Sequence, residues 1–229
     1  MDKNNLGIPV AIIIVGLLIA GAIMFGGNGR SLNLGGGNVE KEVSVRPADT
    51  TDHLQGALGA PVTVIEYSDL ECPYCKVFHN TMNEALAAYN GGEEVKLAWV
   101  FRHFPLDSLH SKARAEAAAA ECAGELGGSK MFWTYIDKIF AVTPSNDGLD
   151  SSLLPVLAQE IGLDRAAFEK CQAANKYAEK IQASYEEAIA AGGTGTPFVI
   201  VIGPSGQQIA LPGAVPLEDL KQAIDSLLK

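Results

Sequence analysis

Uncharged residues, most of them apolar, run without a break from Gly7 to Phe25, give way to a glycine-rich polar stretch, and return beyond residue 60 in two different rhythms. In "PVTVIEY" and in "VKLAWVFRHF" the apolar residues are crowded and rich in valine, isoleucine and aromatics, which predicts two buried strands. Between them, Val77, Phe78, Met82, Leu86 and Tyr89 recur at helical spacing, so the order is strand, helix, strand. Such a βαβ unit is normally parallel and right-handed. From about 106 to 191 the chain turns helical, with four helix-like stretches separated by glycine, proline or Asx-rich breaks, which predicts a helical insertion. "TPFVIVIG", a Pro-Ser-Gly turn and "QQIALPG" then read as an antiparallel hairpin, with "PLEDLKQAIDSLL" as a closing helix.

The first apolar run has about the length needed to cross a bilayer's hydrocarbon core at 1.5 Å per residue. Residues 1–25 are therefore expected to be a single membrane-spanning anchor or a signal segment; the uninterrupted span favours the anchor, whereas "AGA" near its end resembles a weak cleavage signal. Flanking charge is too sparse to set orientation. Six glycines between Gly26 and Gly37, followed by a polar stretch, predict a flexible linker over 26–51. The folded domain is then expected over 52–229.

With 229 residues and 48% hydrophobic content, the chain can bury a sizeable core. Its formal charge of −10, from 17 Lys and Arg against 27 Asp and Glu, gives no electrostatic footprint for nucleic acid, and none is expected as a partner.

Chemistry concentrates at "EYSDLECPYC", where Cys72 and Cys75 lie two residues apart at the predicted start of a helix. A structural zinc site generally needs two such pairs, and only one is present; His79, His103 and His110 do not form a compact second half-site in sequence. A crosslink within one helical turn would constrain almost nothing. Redox exchange fits better: free backbone N–H groups at the helix start favour a Cys72 thiolate, Pro73 suits an early helical position, and Cys75 can reach Cys72 one turn later. Cys72 is then the attacking cysteine and Cys75 the resolving one.

Glu66 lies six residues before Cys72 on the first strand, and two readings stay open: an outward-facing carboxylate, or a partly buried acid beneath Cys75 that relays a proton. Asp69, Glu71 and His79 read as solvated. Pro197 in "TGTPFVIV" directly precedes a strand, which suggests a cis Thr196-Pro197 bond that would present a backbone edge beside the sulfurs. The aromatic cluster "FWTYIDKIF" reads as packing, and "PSNDGLD" as a turn lacking calcium-loop spacing.

These residues resemble the thioredoxin superfamily and, more closely, its DsbA-like branch of exported thiol-disulfide oxidoreductases. The resemblance covers roughly 52–229 and is carried by "EYSDLECPYC", "FRHFPL" and "GGTGTPFVIVIG" around a helical insertion that glutaredoxins lack. It implies a thioredoxin-like α/β fold with a central mixed sheet, Cys72 and Cys75 as the exchanging pair, Glu66 as the buried acid, and Thr196-Pro197 as the cis-proline loop. Tyr74 stands where strongly oxidising members carry histidine. Cys122 and Cys171 fall in two insertion helices, as two buried thiols or as a structural disulfide; the second divides the four cysteines into an exchanging and a stapling pair and requires an oxidising compartment.

The expected activity is disulfide introduction into exported proteins without metal, nucleotide or other cofactor. The expected partners are exported or unfolded polypeptides and a membrane redox partner of the quinone-linked kind, with the chain acting as a monomer on the extracytoplasmic side of the cell membrane, or secreted or periplasmic if the N-terminal segment is cleaved. The alternatives are a membrane-fed reductase or isomerase, and a chaperone or binding module without redox turnover.

Overall fold

A computed structural model describes residues 44–229 of the chain. The central sheet has five strands: β1 (His53–Gln55), β2 (Val62–Ser68), β3 (Leu97–His103), β4 (Phe198–Ile202) and β5 (Gln208–Leu211), in the order β1-β3-β2-β4-β5. β2 and β3 run parallel, joined by α1 (Pro73–Asn90), and the remaining pairs are antiparallel, so the sheet is mixed. The insertion holds α2 (Ala113–Val142), a short 3₁₀ turn, α3 (Leu154–Glu160), α4 (Arg165–Ala174) and α5 (Ala178–Ala190), and α6 (Leu217–Leu227) closes the chain.

Because side chains alternate across a strand, the central strands feed two cores. Val62 and Val64 of β2, Leu97, Trp99 and Phe101 of β3, and Val199 and Val201 of β4 face α1, α6 and most of the insertion. Ile65, Tyr67, Val100 and Ile200 face the opposite side, where Val45, Ala188 and Ala191 cover them. Four positions carry polar groups into these layers: Glu66 and Ser68 on the α1 side of β2, and Arg102 and His103 on β3, each almost wholly buried.

The α2 segment spans two stretches of the sequence pattern. They are continuous except at Gly128, whose φ of 74° and ψ of −176° break the helix at the expected glycine boundary. Cys122 of α2 and Cys171 of α4 form a disulfide with Cα atoms 5.8 Å apart.

Two expectations are corrected. The polar linker was placed over 26–51, yet residues 45–52 are packed on the domain. Val45 is buried and its N–H donates to Gln208 Oε1, while Asp52 accepts a bidentate pair from Arg102, Nε to Oδ1 at 3.0 Å and Nη2 to Oδ2 at 2.9 Å. Arg102 also donates to the carbonyls of Arg46 and Pro47, so a buried guanidinium on β3 draws in a segment whose composition alone reads as solvated. The single-pass membrane topology, with its transmembrane or signal-anchor segment, is the second. Among the described residues no helix is long and apolar enough to cross a membrane, and the segment 1–25 on which that reading rested lies outside them. The architecture stands as an α/β domain without a membrane-spanning helix among its described residues.

The disulfide closes a loop of 49 residues, which in the chain-entropy account stabilises the fold by roughly 4 kcal/mol. The double substitution C122A/C171A is expected to lower the unfolding free energy by about 2 to 4 kcal/mol in denaturant titration. A loss below about 0.5 kcal/mol would show that the insertion helices hold together without it.

Candidate active site

The first turn of α1 is built around Cys72. It is the N-cap, with extended φ and ψ of −79° and 121°, no side-chain cap bond, and Pro73 at the start of the helix. A proline costs nothing there because its missing N–H would have no intrahelical partner. The N–H groups at this end are left to face the sulfur. Cys72 retains a small exposed rim at 4%, whereas Cys75, on the inner face of α1, is sealed. Both are free thiols.

The loop before β4 meets this pair. The Thr196-Pro197 bond is cis. The Cys72 thiol donates to the Thr196 carbonyl across 3.4 Å, and the Thr196 hydroxyl is buried without another partner, which leaves it able to donate to the sulfur once the thiol ionises. The Cys72 thiol is lowered to about 6: the hydrogen bond from Cys75 acts most strongly, Thr196 and the N–H groups of Cys75 and Tyr74 add to it, and burial opposes them. Cys75 moves the other way. Burial raises it well above the ordinary thiol value, helped by its donation to Cys72 and the charges of Cys72 and Glu66, while the Asp69 N–H, 3.5 Å from its sulfur, resists.

Glu66 is fully buried, and Trp99 Nε1 donates to its Oε2 at 3.0 Å; Oε1 has no hydrogen-bond partner. Burial pushes the carboxyl up to about 8, Ser68 and Trp99 oppose the rise, and the charge of Cys72 adds to it. The inward position follows from strand parity, since Glu66 shares its face with Val62 and Val64.

Three residues that the sequence reads as solvated are inside. Asp69 is buried at the turn after β2, where its carboxylate accepts from the N–H groups of Glu71 and Leu106 and faces His110 Nδ1. Glu71 is sealed with neither carboxyl oxygen hydrogen-bonded, and burial first, then Glu71, raises the carboxyl of Glu116 on α2 to about 10. His79 packs between Trp99 and Phe140, with Nε2 2.6 Å from Asp137 Oδ1. Nothing in the local sequence separates these polar turn and helix residues from solvated ones; the signal would have been the concentration of carboxylates just before the cysteine pair. Among the described residues, no group of three or more histidine, cysteine or carboxylate side chains is placed to hold a metal ion. The aromatic run Phe132, Trp133, Tyr135, Ile136, Ile139 and Phe140 is buried packing.

The family description "Thioredoxin" matches residues 48–226. The chain belongs to the thioredoxin family. Its fold matches the crystal structure of Pseudomonas aeruginosa DsbA2 with a TM-score of 0.66 and 33% identity, covering 80% of this chain and 97% of that one. BdbD from Bacillus subtilis, in oxidised form, matches with a TM-score of 0.68 over 82% of this chain and 98% of that one; at 20% identity this likeness is one of fold. Among curated proteins, the Na(+)/H(+) antiporter NhaA 3 of Salinispora tropica is 35% identical over 152 residues, 66% of this chain and 22% of that protein. The NhaA 1 antiporter of Salinispora arenicola is 33% identical over 172 residues, 75% of this chain and 24% of that protein. The chain thus spans about a quarter of the length of these curated relatives. This thioredoxin-family chain is a DsbA-like thiol-disulfide oxidoreductase.

The raised Glu66 carboxyl has a thermodynamic consequence with a definite sign. Between the ordinary carboxyl value and about 8, the folded protein keeps a proton that the unfolded chain has released, so Glu66 withdraws stability as pH rises through that window. With Cys72 and Cys75 oxidised to remove their own titration, E66Q is expected to lose less stability than the parent between pH 5 and pH 8, by up to about 4 kcal/mol. Denaturant titrations of both proteins at the two pH values measure this; parallel losses would sink the assignment of a neutral, buried Glu66.

Proposed function

We propose that the oxidised Cys72-Cys75 pair donates its disulfide to reduced polypeptides outside the cytoplasm. The observation that carries this reading is the opposite displacement of the two thiols, about 6 for Cys72 and well above the ordinary value for Cys75. A substrate thiolate attacks Cys72 Sγ, the bond to Cys75 breaks, and Cys75 leaves as a thiolate that its sealed environment disfavours. Glu66, neutral up to about 8, delivers the proton in this scheme. A second substrate thiolate then attacks the substrate sulfur of the mixed disulfide and expels Cys72, whose low value makes it a good leaving group. In sum, protein disulfide plus two substrate thiols gives protein dithiol plus substrate disulfide.

The backbone at Thr196, whose carbonyl already lies against Cys72, offers an edge for an extended substrate chain. A groove of about 520 Å³ beside it is lined by Thr196, Pro197, Phe198, Ala210 and Leu211, and Tyr74 and Val77 on α1 are exposed apolar contacts. The Cys122-Cys171 disulfide, stable in an oxidising compartment, supports an extracytoplasmic setting. Turnover needs reoxidation of Cys72 and Cys75, and a membrane redox partner of the quinone-linked kind would supply it. The chain acts as a monomer in this scheme.

The test is oxidative refolding of a reduced, unfolded disulfide protein by stoichiometric oxidised enzyme, with C75S as a trap. The parent is expected to form substrate disulfides, C72S to lose the reaction by at least about 10³-fold, and C75S to accumulate a mixed disulfide through Cys72. Refolding that proceeds unchanged in C72S would overturn the exchange mechanism. Insulin reduction outpacing substrate oxidation would reverse the direction to that of a reductase.

A further inference from the structure

Asp69 is bonded to both halves of the active site through different atoms. Its carbonyl accepts the Cys72 N–H at 3.1 Å, and its own N–H donates to Cys75 Sγ at 3.5 Å. Its Oδ1 accepts the Glu71 N–H, and its Oδ2 accepts the Leu106 N–H and meets His110 Nδ1 at 2.9 Å. The His110 ring therefore docks on the residue that fixes the cysteine turn, although it comes from the segment after β3, 41 positions along the chain.

A second loop secures this arrangement. Ser145, Asn146 and Asp147 all have positive φ, at 66°, 53° and 62°. Such a run is strained for residues with a Cβ and persists only where the surroundings hold it. Here Asn146 N–H donates to the Glu71 carbonyl, and the Asp147 carboxylate accepts from Ser111 and Lys112, the residues directly after His110. His110 is thus buried at 5% exposure between two loops and aimed at the turn that carries Cys72.

We propose that protonated His110, clamped by Asp69, is a positioning residue that holds a positive charge facing Cys72 and so favours the thiolate, a role that uncharged Tyr74 between the cysteines does not fill. The Asp69 carboxylate meets the ring at 2.9 Å, and Asn146 and the charges of Cys72 and Asp147 also act on it electrostatically. Beyond them lie the buried Glu71 and Glu116 side chains, the Glu116 carboxyl raised to about 10, and Lys112, whose ammonium is taken up by the Asp147 and Leu149 carbonyls. The balance around the ring is therefore anionic. His110 is raised above the ordinary imidazole value: burial opposes the rise, while the hydrogen bond and charge of Asp69, Asn146 and the charge of Cys72 outweigh it.

This inference rests on Cys72 being the ionised sulfur, and it makes a reciprocal demand. If the imidazolium favours the thiolate, the thiolate must favour the imidazolium by the same factor. The first measurement uses the unmodified protein: NMR titration of the His110 ring in the reduced and the oxidised state. The midpoint is expected to be higher in the reduced protein by about 0.5 pH unit, a threefold change in proton affinity. The second is the thiolate absorbance titration of reduced H110Q, since glutamine can still donate to Asp69 but carries no charge. Its Cys72 midpoint is expected to rise by a matching factor of about three, and its dithiol-disulfide equilibrium with glutathione to shift towards the oxidised protein.

Identical His110 midpoints in the two redox states overturn the proposal, whether or not H110Q folds, as does a Cys72 midpoint in folded H110Q equal to that of the parent. Failure of the underlying assignment looks different: the low-pH thiolate signal would then survive in C72S and vanish in C75S.

Discussion

The unequal burial of two sulfurs one helical turn apart is the constraint around which the rest of this domain is arranged. Cys72 stands at the open rim of α1 among N–H groups and the Thr196 loop, and Cys75 is sealed on the inner face. An ion at the first position is solvated by fixed dipoles; an ion at the second has almost nothing to replace water. Exchange chemistry needs this asymmetry, because one sulfur must leave readily and the other must close the ring. In the proposed exchange, a neutral carboxyl in the same sealed layer, Glu66, supplies the inner sulfur with its proton, and it adds no standing charge to the core.

Holding that asymmetry requires material on both sides of the sheet. The α1 face of the central strands carries the large core of Trp99, Phe78, Met82 and the insertion aromatics, which exclude water from Cys75 and Glu66. The disulfide between α2 and α4 fastens the insertion that forms part of this cover. On the other face, Arg102 gathers Asp52, Tyr67, Glu187 and the carbonyls of Arg46 and Pro47, and anchors the segment before β1. A buried guanidinium of this kind stabilises only while its partners are complete, so its weight lies in fixing which segment docks where.

Much of this was legible in residue order. The alternation of "VTVIEY" and "LAWVFRH", the helical spacing after Cys75 and the turn in "GPSG" each dictate an element through local geometry, and all of these elements form. Strand β1 was not legible, because His53–Gln55 has three half-buried residues and no apolar rhythm; it exists through pairing with β3. The docking of 45–52 was equally hidden, since it depends on an arginine some 50 residues later. At the site, spacing marks the cysteine pair, but polarity alone misplaces Asp69, Glu71 and His79, which look like water-facing residues and are buried by tertiary partners. Glu71 and Glu116, both buried, lie 45 positions apart, and no local pattern announces that the fold will bury either of them.

The most direct test of the account is the reduction potential of the Cys72-Cys75 pair in defined glutathione buffers, with Cys122 and Cys171 left in their disulfide. A stabilised outer thiolate favours the reduced form, so the account predicts a potential above about −200 mV, on the oxidising side of the cell-envelope couples. A value at or below about −250 mV, in the range of thioredoxin itself, would contradict it and assign the pair to reduction.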